Sequence, residues 1–150
     1  MEPRIAYWDV NPPVYKALQS LSGIARQCGL DENLIELVFY RASQLNGCAF
    51  CLNMHAAKLQ AAGAEVEKLL LASAWRDAGI FSAREQSALE WTEAVTRLTN
   101  QEVPEDVYQR ARREFDEKEL VGLTTAVVAI NGWNRFNVAF RVPPQPVKAV

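Results

Sequence analysis

Two of the three cysteines and the only histidine of this chain fall in one short stretch, Asn46-Gly47-Cys48-Ala49-Phe50-Cys51-Leu52-Asn53-Met54-His55. On a helix that begins just after Gly47, Cys48 and Cys51 stand at i and i+3, about 5 Å apart at Cα and within disulfide reach. His55 follows Cys51 at i+4 on the same face. A thiol pair beside an imidazole is a redox constellation. The thiolate is the nucleophile, so a base of near-neutral pKa must take the thiol proton, and histidine fits that task. The first turn of a helix adds unpaired N–H groups and a partial positive charge, which lower a thiol pKa. One sulfur can attack the O–O bond of a peroxide and become a sulfenic acid, and the other can then condense with it to a disulfide. Cys51, nearer His55 and deeper in the helix, is assigned the attack. Cys48 is assigned the resolving role; being nearer the helix end, it is expected to be the more exposed sulfur and the contact for an external reductant.

The elements around this stretch extend the site. Asp31 is a good N-cap for a helix with Leu34, Leu37, Val38 and Leu45 as its apolar stripe, and Gly47 suits a left-handed stop. If that helix and the next form a hairpin turning at Gly47, residues equidistant from the turn face one another. Glu36, eleven residues before Gly47, then lies opposite residue 58, one turn from His55. It also borders the apolar stripe, where an unpaired carboxylate is costly. A relay of Glu36, His55 and Cys51 resolves that cost. Other readings are a zinc site with Cys28 as fourth ligand, a buried cysteine pair without chemistry, and a capping or surface role for Glu36. Cys28 alone reads as a small core residue.

The remaining chain reads as helices. Val14, Leu18, Leu21 and Ile24 mark one that Gly29 closes, and Val66, Leu69, Leu70 and Ala74 mark another that ends at Gly79. Ser82 with Glu85 forms a capping box, Pro104 starts a further helix, and the last runs from about Asp116 to Asn137. Residues 1–12 carry no helical period and are expected to form an extended arm, of a kind that packs on a neighbouring subunit. Residues 141–150 are a Pro-rich tail. The fold class is all-α, a single domain over residues 1–150 with six to eight helices and a core at about 31–140. Charged residues make up 23% and apolar residues 49% of 150, with net charge −2. That balance leaves no footprint for nucleic acid or an anionic membrane, and no apolar run can span a bilayer. Three cysteines without an export signal point to the cytoplasm, where a CxxC pair is catalytic or metal-binding more often than a staple.

The residues together resemble a known family. Glu36, Cys48-Ala49-Phe50-Cys51 and His55 look like the core motif of the AhpD-like alkylhydroperoxidases of the carboxymuconolactone decarboxylase superfamily. Arg41-Ala42-Ser43-Gln44-Leu45-Asn46-Gly47 reads like the lead-in of its signature. Ser73-Ala74-Trp75-Arg76-Asp77 and Phe81-Ser82-Ala83-Arg84-Glu85 are similar to its middle region, and Asn131-Gly132-Trp133-Asn134-Arg135 to its last helix. The resemblance covers most of residues 31–140. It implies an all-helical homo-oligomer, commonly a trimer or hexamer, that reduces organic hydroperoxides or hydrogen peroxide. The implied cycle runs through Cys48 and Cys51, with Glu36 and His55 as proton relay, no cofactor or metal, and a thiol or dithiol protein as reductant. Well-known members carry a second histidine inside the CxxC, where this chain has Ala49 and Phe50. That loss is expected to weaken the relay or change substrate preference. The decarboxylase branch does not rely on the CxxC pair, so the cysteines favour the peroxidase branch. The alternative from another class is a non-catalytic redox-sensing or zinc-stabilised interaction module. Trp133 and Arg135 could clamp an anion but fit helix packing better, and Arg76 with Asp77 is expected to hold a helix end.

Overall fold

Side-chain caps open four of the helices that frame the core in the computed structural model, which describes residues 2–146. The Asp31 carboxylate accepts from the backbone N–H groups of Asn33 (2.9 Å) and Leu34 (3.2 Å), opening α3, Glu32–Asn46. Gly47 ends that helix in the left-handed region (φ 65°), which glycine adopts without steric cost. The chain reverses there into α4, Ala49–Ala61. Before the hairpin come α1, Tyr7–Val10, and α2, Pro12–Arg26; after it come α5, Val66–Leu71, and α6, Trp75–Ala78. The capping boxes Ser82/Glu85 and Asp116/Glu119 open α7, Ala83–Arg97, and α9, Glu117–Ala139. Between them lies α8, Glu105–Glu114, with Pro104 at the N-cap, one position ahead of its first turn. The described residues are all-α, as the periodicities imply. Seven helices exceed one turn, and α1 and α6 are single turns.

α3 is the hub. It packs against α4, α7 and α9, and Ile35, Val38, Phe39 and Ala42 form one core with Leu123, Ala126, Val127 and Ile130 of α9. Leu37, on another face of α3, joins Trp75, Phe81 and Leu89 in a second cluster. At Gly122 a Cβ would overlap the Cys28 side chain, so only glycine lets α9 approach the end of α2 this closely. No described helix is long and apolar enough to cross a membrane.

Two segments depart from the sequence reading. The single helix expected from Val66 to Gly79 is broken by a 3₁₀ turn at Ala72–Ala74. Leu69, Ala72 and Trp75 are buried at a strict spacing of three, which suits 3₁₀ winding, while Val66 and Leu70 face outward. The arm is the other. Residues 7–10 are helical and fold onto their own chain: the Arg4 N–H donates to the Phe140 carbonyl (2.7 Å), and Tyr7 packs on Phe136 and Phe140. Aromatic burial against the end of α9 overrides the weak local pattern. Of the expected Pro-rich tail, residues 142–146 carry no regular structure and residues 147–150 lie outside the described residues.

Candidate active site

The hairpin brings the four predicted residues to one buried place. Cys48 is the N-cap of α4, and its Sγ accepts from the Cys51 backbone N–H (3.3 Å). The two cysteines are joined as a disulfide with Cα atoms 5.3 Å apart, as the i, i+3 spacing requires. Each is 1% exposed, so the expectation that Cys48 is the open sulfur is corrected: the α3–α4 turn folds the helix start into the core instead of presenting it to water. Ala49 faces the surface, and Phe50, half-buried, packs against the core.

His55 and Glu36 are 2% and 3% exposed, and His55 Nδ1 lies 2.6 Å from Glu36 Oε2. The other carboxylate oxygen accepts from Arg26 of α2 and from Lys58 Nζ (3.4 Å). Lys58 is the residue that equidistance from Gly47 places opposite Glu36. Phe39 walls the pair, its ring 5.0 Å from the imidazole and 5.2 Å from the Arg26 guanidinium. Burial alone would raise the Glu36 pKa. The hydrogen bond and charge of His55, with Arg26 and Lys58, overcome it and hold the carboxyl at about 2. Burial pushes the His55 pKa below its ordinary value, opposed by the Glu36 hydrogen bond and charge and assisted by the Lys58 and Arg26 charges. A fixed carboxylate thus faces an imidazole that is neutral at physiological pH. With Nδ1 held by Glu36, Nε2 is left to take a proton.

Sequence reasoning missed four residues here. Arg26 and Lys58 hold Glu36; of these, Lys58 could have been found from the hairpin count. On the far side, Asn137 of α9 donates from Nδ2 to Cys51 Sγ (3.3 Å), and the Tyr7 hydroxyl donates to Asn137 Oδ1 (2.9 Å). Nothing local in the sequence marks either.

The other singled-out residues are structural. Cys28 is a free thiol packed at Gly122, and no group of three or more His, Cys, Asp or Glu that could hold an ion occurs among the described residues. The donor set required by the zinc reading is therefore not assembled. Arg76 stacks on Trp75 (4.1 Å) and pairs with Glu93 (2.9 Å), not with Asp77, because Glu93 is the buried carboxylate needing donors. Trp133 donates to Ser22 Oγ (2.9 Å), Asn134 to Ser43 Oγ (3.0 Å), and Arg135 caps Asn131 of its own helix. A groove of about 820 Å³ runs along the outer face of α4, lined by Phe50, Met54, Lys58 and Pro146 among others; it reaches the relay through Lys58 and touches neither sulfur.

Against known proteins, the model of the carboxymuconolactone decarboxylase family matches residues 12–94. The uncharacterized protein YdfG of Bacillus subtilis is 32% identical over 139 residues, 93% of this chain and 95% of its own. The uncharacterized protein YnjA of Escherichia coli is 29% identical over 143 residues, 94% of this chain and 78% of its own. Among solved structures, a protein of unknown function from Agrobacterium tumefaciens, provisionally assigned as the antioxidant defence protein AhpD, superposes with TM-score 0.92 at 35% identity, covering 98% of this chain and 100% of the other. An uncharacterized peroxidase-related protein from Ralstonia eutropha JMP134, with an alkylhydroperoxidase AhpD core, shares the fold at TM-score 0.81 and 18% identity, over 95% of this chain and 77% of its own.

Proposed function

Because this chain belongs to the carboxymuconolactone decarboxylase family, with an AhpD-like fold, we propose that it is a thiol-dependent peroxidase acting on organic hydroperoxides or hydrogen peroxide. The observation that carries the reading is the buried Glu36–His55 pair on the same helical hairpin that buries the Cys48–Cys51 disulfide. In the reduced protein, His55 Nε2 takes the Cys51 proton and the thiolate attacks the nearer peroxide oxygen. An S–O bond forms, the O–O bond breaks, and the leaving alkoxide receives the proton from His55. Cys51 is then a sulfenic acid. The Cys48 sulfur displaces its oxygen as water, giving the disulfide, and a thiol or dithiol protein returns both electrons by thiol–disulfide exchange. A reducing compartment such as the cytoplasm suits that cycle.

Stopped-flow mixing of the reduced protein with an organic hydroperoxide tests this. Fast oxidation to the disulfide, and turnover with a dithiol, are expected. The Cys48→Ser protein should stop at a sulfenic acid, whereas Cys51→Ser should not react. A protein that forms the disulfide but never turns over supports the redox-sensing alternative.

We also propose that residues 1–150 act as one domain within a homo-oligomer, a trimer or hexamer. Val121, Val128 and Val138 of α9 and Ile24 of α2 are between 46% and 74% exposed, as is Val10. Such apolar exposure on paired elements suits self-association. Light scattering at micromolar concentration is expected to give a multiple of the 16.8 kDa chain mass, and a stable monomer would overturn the proposal.

A further inference from the structure

Buried sulfur that must carry charge needs donors, because a thiolate can only accept hydrogen bonds. The two sulfurs are served differently. Cys48 Sγ faces a backbone N–H of its own helix turn, that of Cys51 (3.3 Å). Cys51 Sγ faces a side-chain amide from the last turn of α9, Asn137 Nδ2 (3.3 Å). Asn137 is 4% exposed, and its Oδ1 is occupied by the Tyr7 hydroxyl (2.9 Å). Tyr7 is itself fixed, 5% exposed among Tyr15, Phe136 and Phe140, with the arm tied down through Arg4 to Phe140. A phenol donating to Oδ1 turns the NH₂ end of the amide toward sulfur; the reverse orientation would set a carbonyl oxygen against it.

We propose that Asn137 is a catalytic hydrogen-bond donor to the Cys51 thiolate and that Tyr7, acting through it, is the positioning residue that aims the donor. The proposal rests on the peroxidase reading, in which Cys51 is the attacking sulfur. The donor acts at two points of the cycle. In the reduced protein it raises the fraction of Cys51 present as thiolate. Each thiolate so stabilised is a weaker nucleophile, but nucleophilicity follows basicity with a slope of only about 0.4–0.5, so the gain in population wins below the thiol pKa. In the oxidised protein the reductant's thiolate attacks Cys48. The new S–S bond forms there, the Cys48–Cys51 bond breaks, and the electron pair leaves on Cys51. A donor at Cys51 makes it the better leaving group and directs attack to Cys48. Burial pushes the Tyr7 hydroxyl up to about 12, with the neighbouring Tyr15 adding to the rise, so Tyr7 remains a donor across the working pH range.

The test is a titration of thiolate ultraviolet absorbance in full-length protein carrying Cys28→Ser and Cys48→Ser, so that Cys51 is the one thiol. Adding Asn137→Ala is expected to raise the titration midpoint by about one unit, the effect of losing one hydrogen bond to a charged group. Adding Tyr7→Phe, which removes one oxygen, should raise it by less. In the otherwise native protein, Asn137→Ala should slow dithiol reduction of the disulfide about threefold or more. An unchanged midpoint in both variants overturns the proposal. If Asn137→Ala does not fold, Tyr7→Phe decides alone, and an unmoved midpoint there overturns it. The titration uses no peroxide, so a protein that reacts with peroxide yet shows no shift sinks this inference and leaves the peroxidase reading standing. A shifted midpoint without peroxide reaction does the opposite.

Discussion

Two carboxylate side chains are buried among the described residues, Glu36 on α3 and Glu93 on α7, at 3% and 6% exposure. Both face arginine, and both are held below the ordinary carboxylate range. For each, burial pushes up and is outweighed by hydrogen bonds, from His55, Arg26 and the Lys58 charge at Glu36, and from Trp75, Arg76 and Arg41 at Glu93. They differ in one partner. Every donor to Glu93 keeps its proton: Trp75 Nε1 at 2.9 Å, Arg41 Nε at 2.9 Å and Arg76 at 2.9 Å. Glu36 faces an imidazole, which can give its proton up, and that imidazole shares a helix face with Cys51. A buried carboxylate closed off by permanent donors fixes packing; one facing a titratable ring can direct a proton. The proposed chemistry belongs to the second.

Glu93→Gln sharpens the contrast most on the stability side. It leaves the Arg41 charge, 8% exposed at its side chain, without its buried partner. Breaking such a pair costs about 3–5 kcal/mol. Urea unfolding should show that loss, while the peroxide rate per folded molecule stays at the wild-type value. A lower rate in the folded Glu93→Gln protein would blur the distinction.

Acid should separate the sites by pH. His55 and Glu36 both have folded pKa values below their unfolded values of 6.5 and 4.5, so the unfolded chain binds protons first. Stability is therefore full above pH 6.5 and is lost in two stages as pH falls. The first begins at 6.5 through His55; the second spans 4.5 to about 2 through Glu36, with Glu93 also losing below 4.5. Each proton gives a slope of at most about 1.4 kcal/mol per pH unit. His55→Asn should erase the first stage and weaken the Glu36 part of the second, because His55 supplies the largest share of what lowers that carboxyl. The Glu93 part should stay, as followed by unfolding midpoints between pH 7 and pH 3.

Lys58→Met should do least. Its side chain is 48% exposed and lies 3.4 Å from Glu36, a geometry worth about 0.2–1 kcal/mol after solvent screening. The peroxide rate should change less than about fivefold, and the His55 pKa, read by NMR, should rise because a nearby cation is gone.

What the sequence made legible follows from separation along the chain. Glu36, Cys48, Cys51 and His55 sit on consecutive helices joined at one glycine, so counting residues from Gly47 measures distance in space. The caps at Asp31 and Ser82 are equally local. Asn137 reaches Cys51 across 86 positions and Tyr7 reaches Asn137 across 130, and no periodicity encodes such a meeting. The break at Ala72 escaped because a spacing of three looks like a poor 3.6 stripe until Trp75 is known to turn inward toward Glu93. Burial of Cys48 escaped for a related reason: the position of a helix end says nothing of what covers it.

The central claim is that Glu36, through His55, makes the Cys51 thiolate available to peroxide. Glu36→Gln keeps the shape and removes the charge, and stopped-flow oxidation of the reduced protein from pH 6 to 9 reads the consequence directly. General-base assistance of this kind is worth on the order of 10²–10⁴ in rate. The variant should be slower by such a factor at pH 6, and the deficit should shrink toward about pH 8.5, where a thiol ionises unaided. Wild-type rates across that whole range would contradict the account and leave Glu36 a packing residue like Glu93.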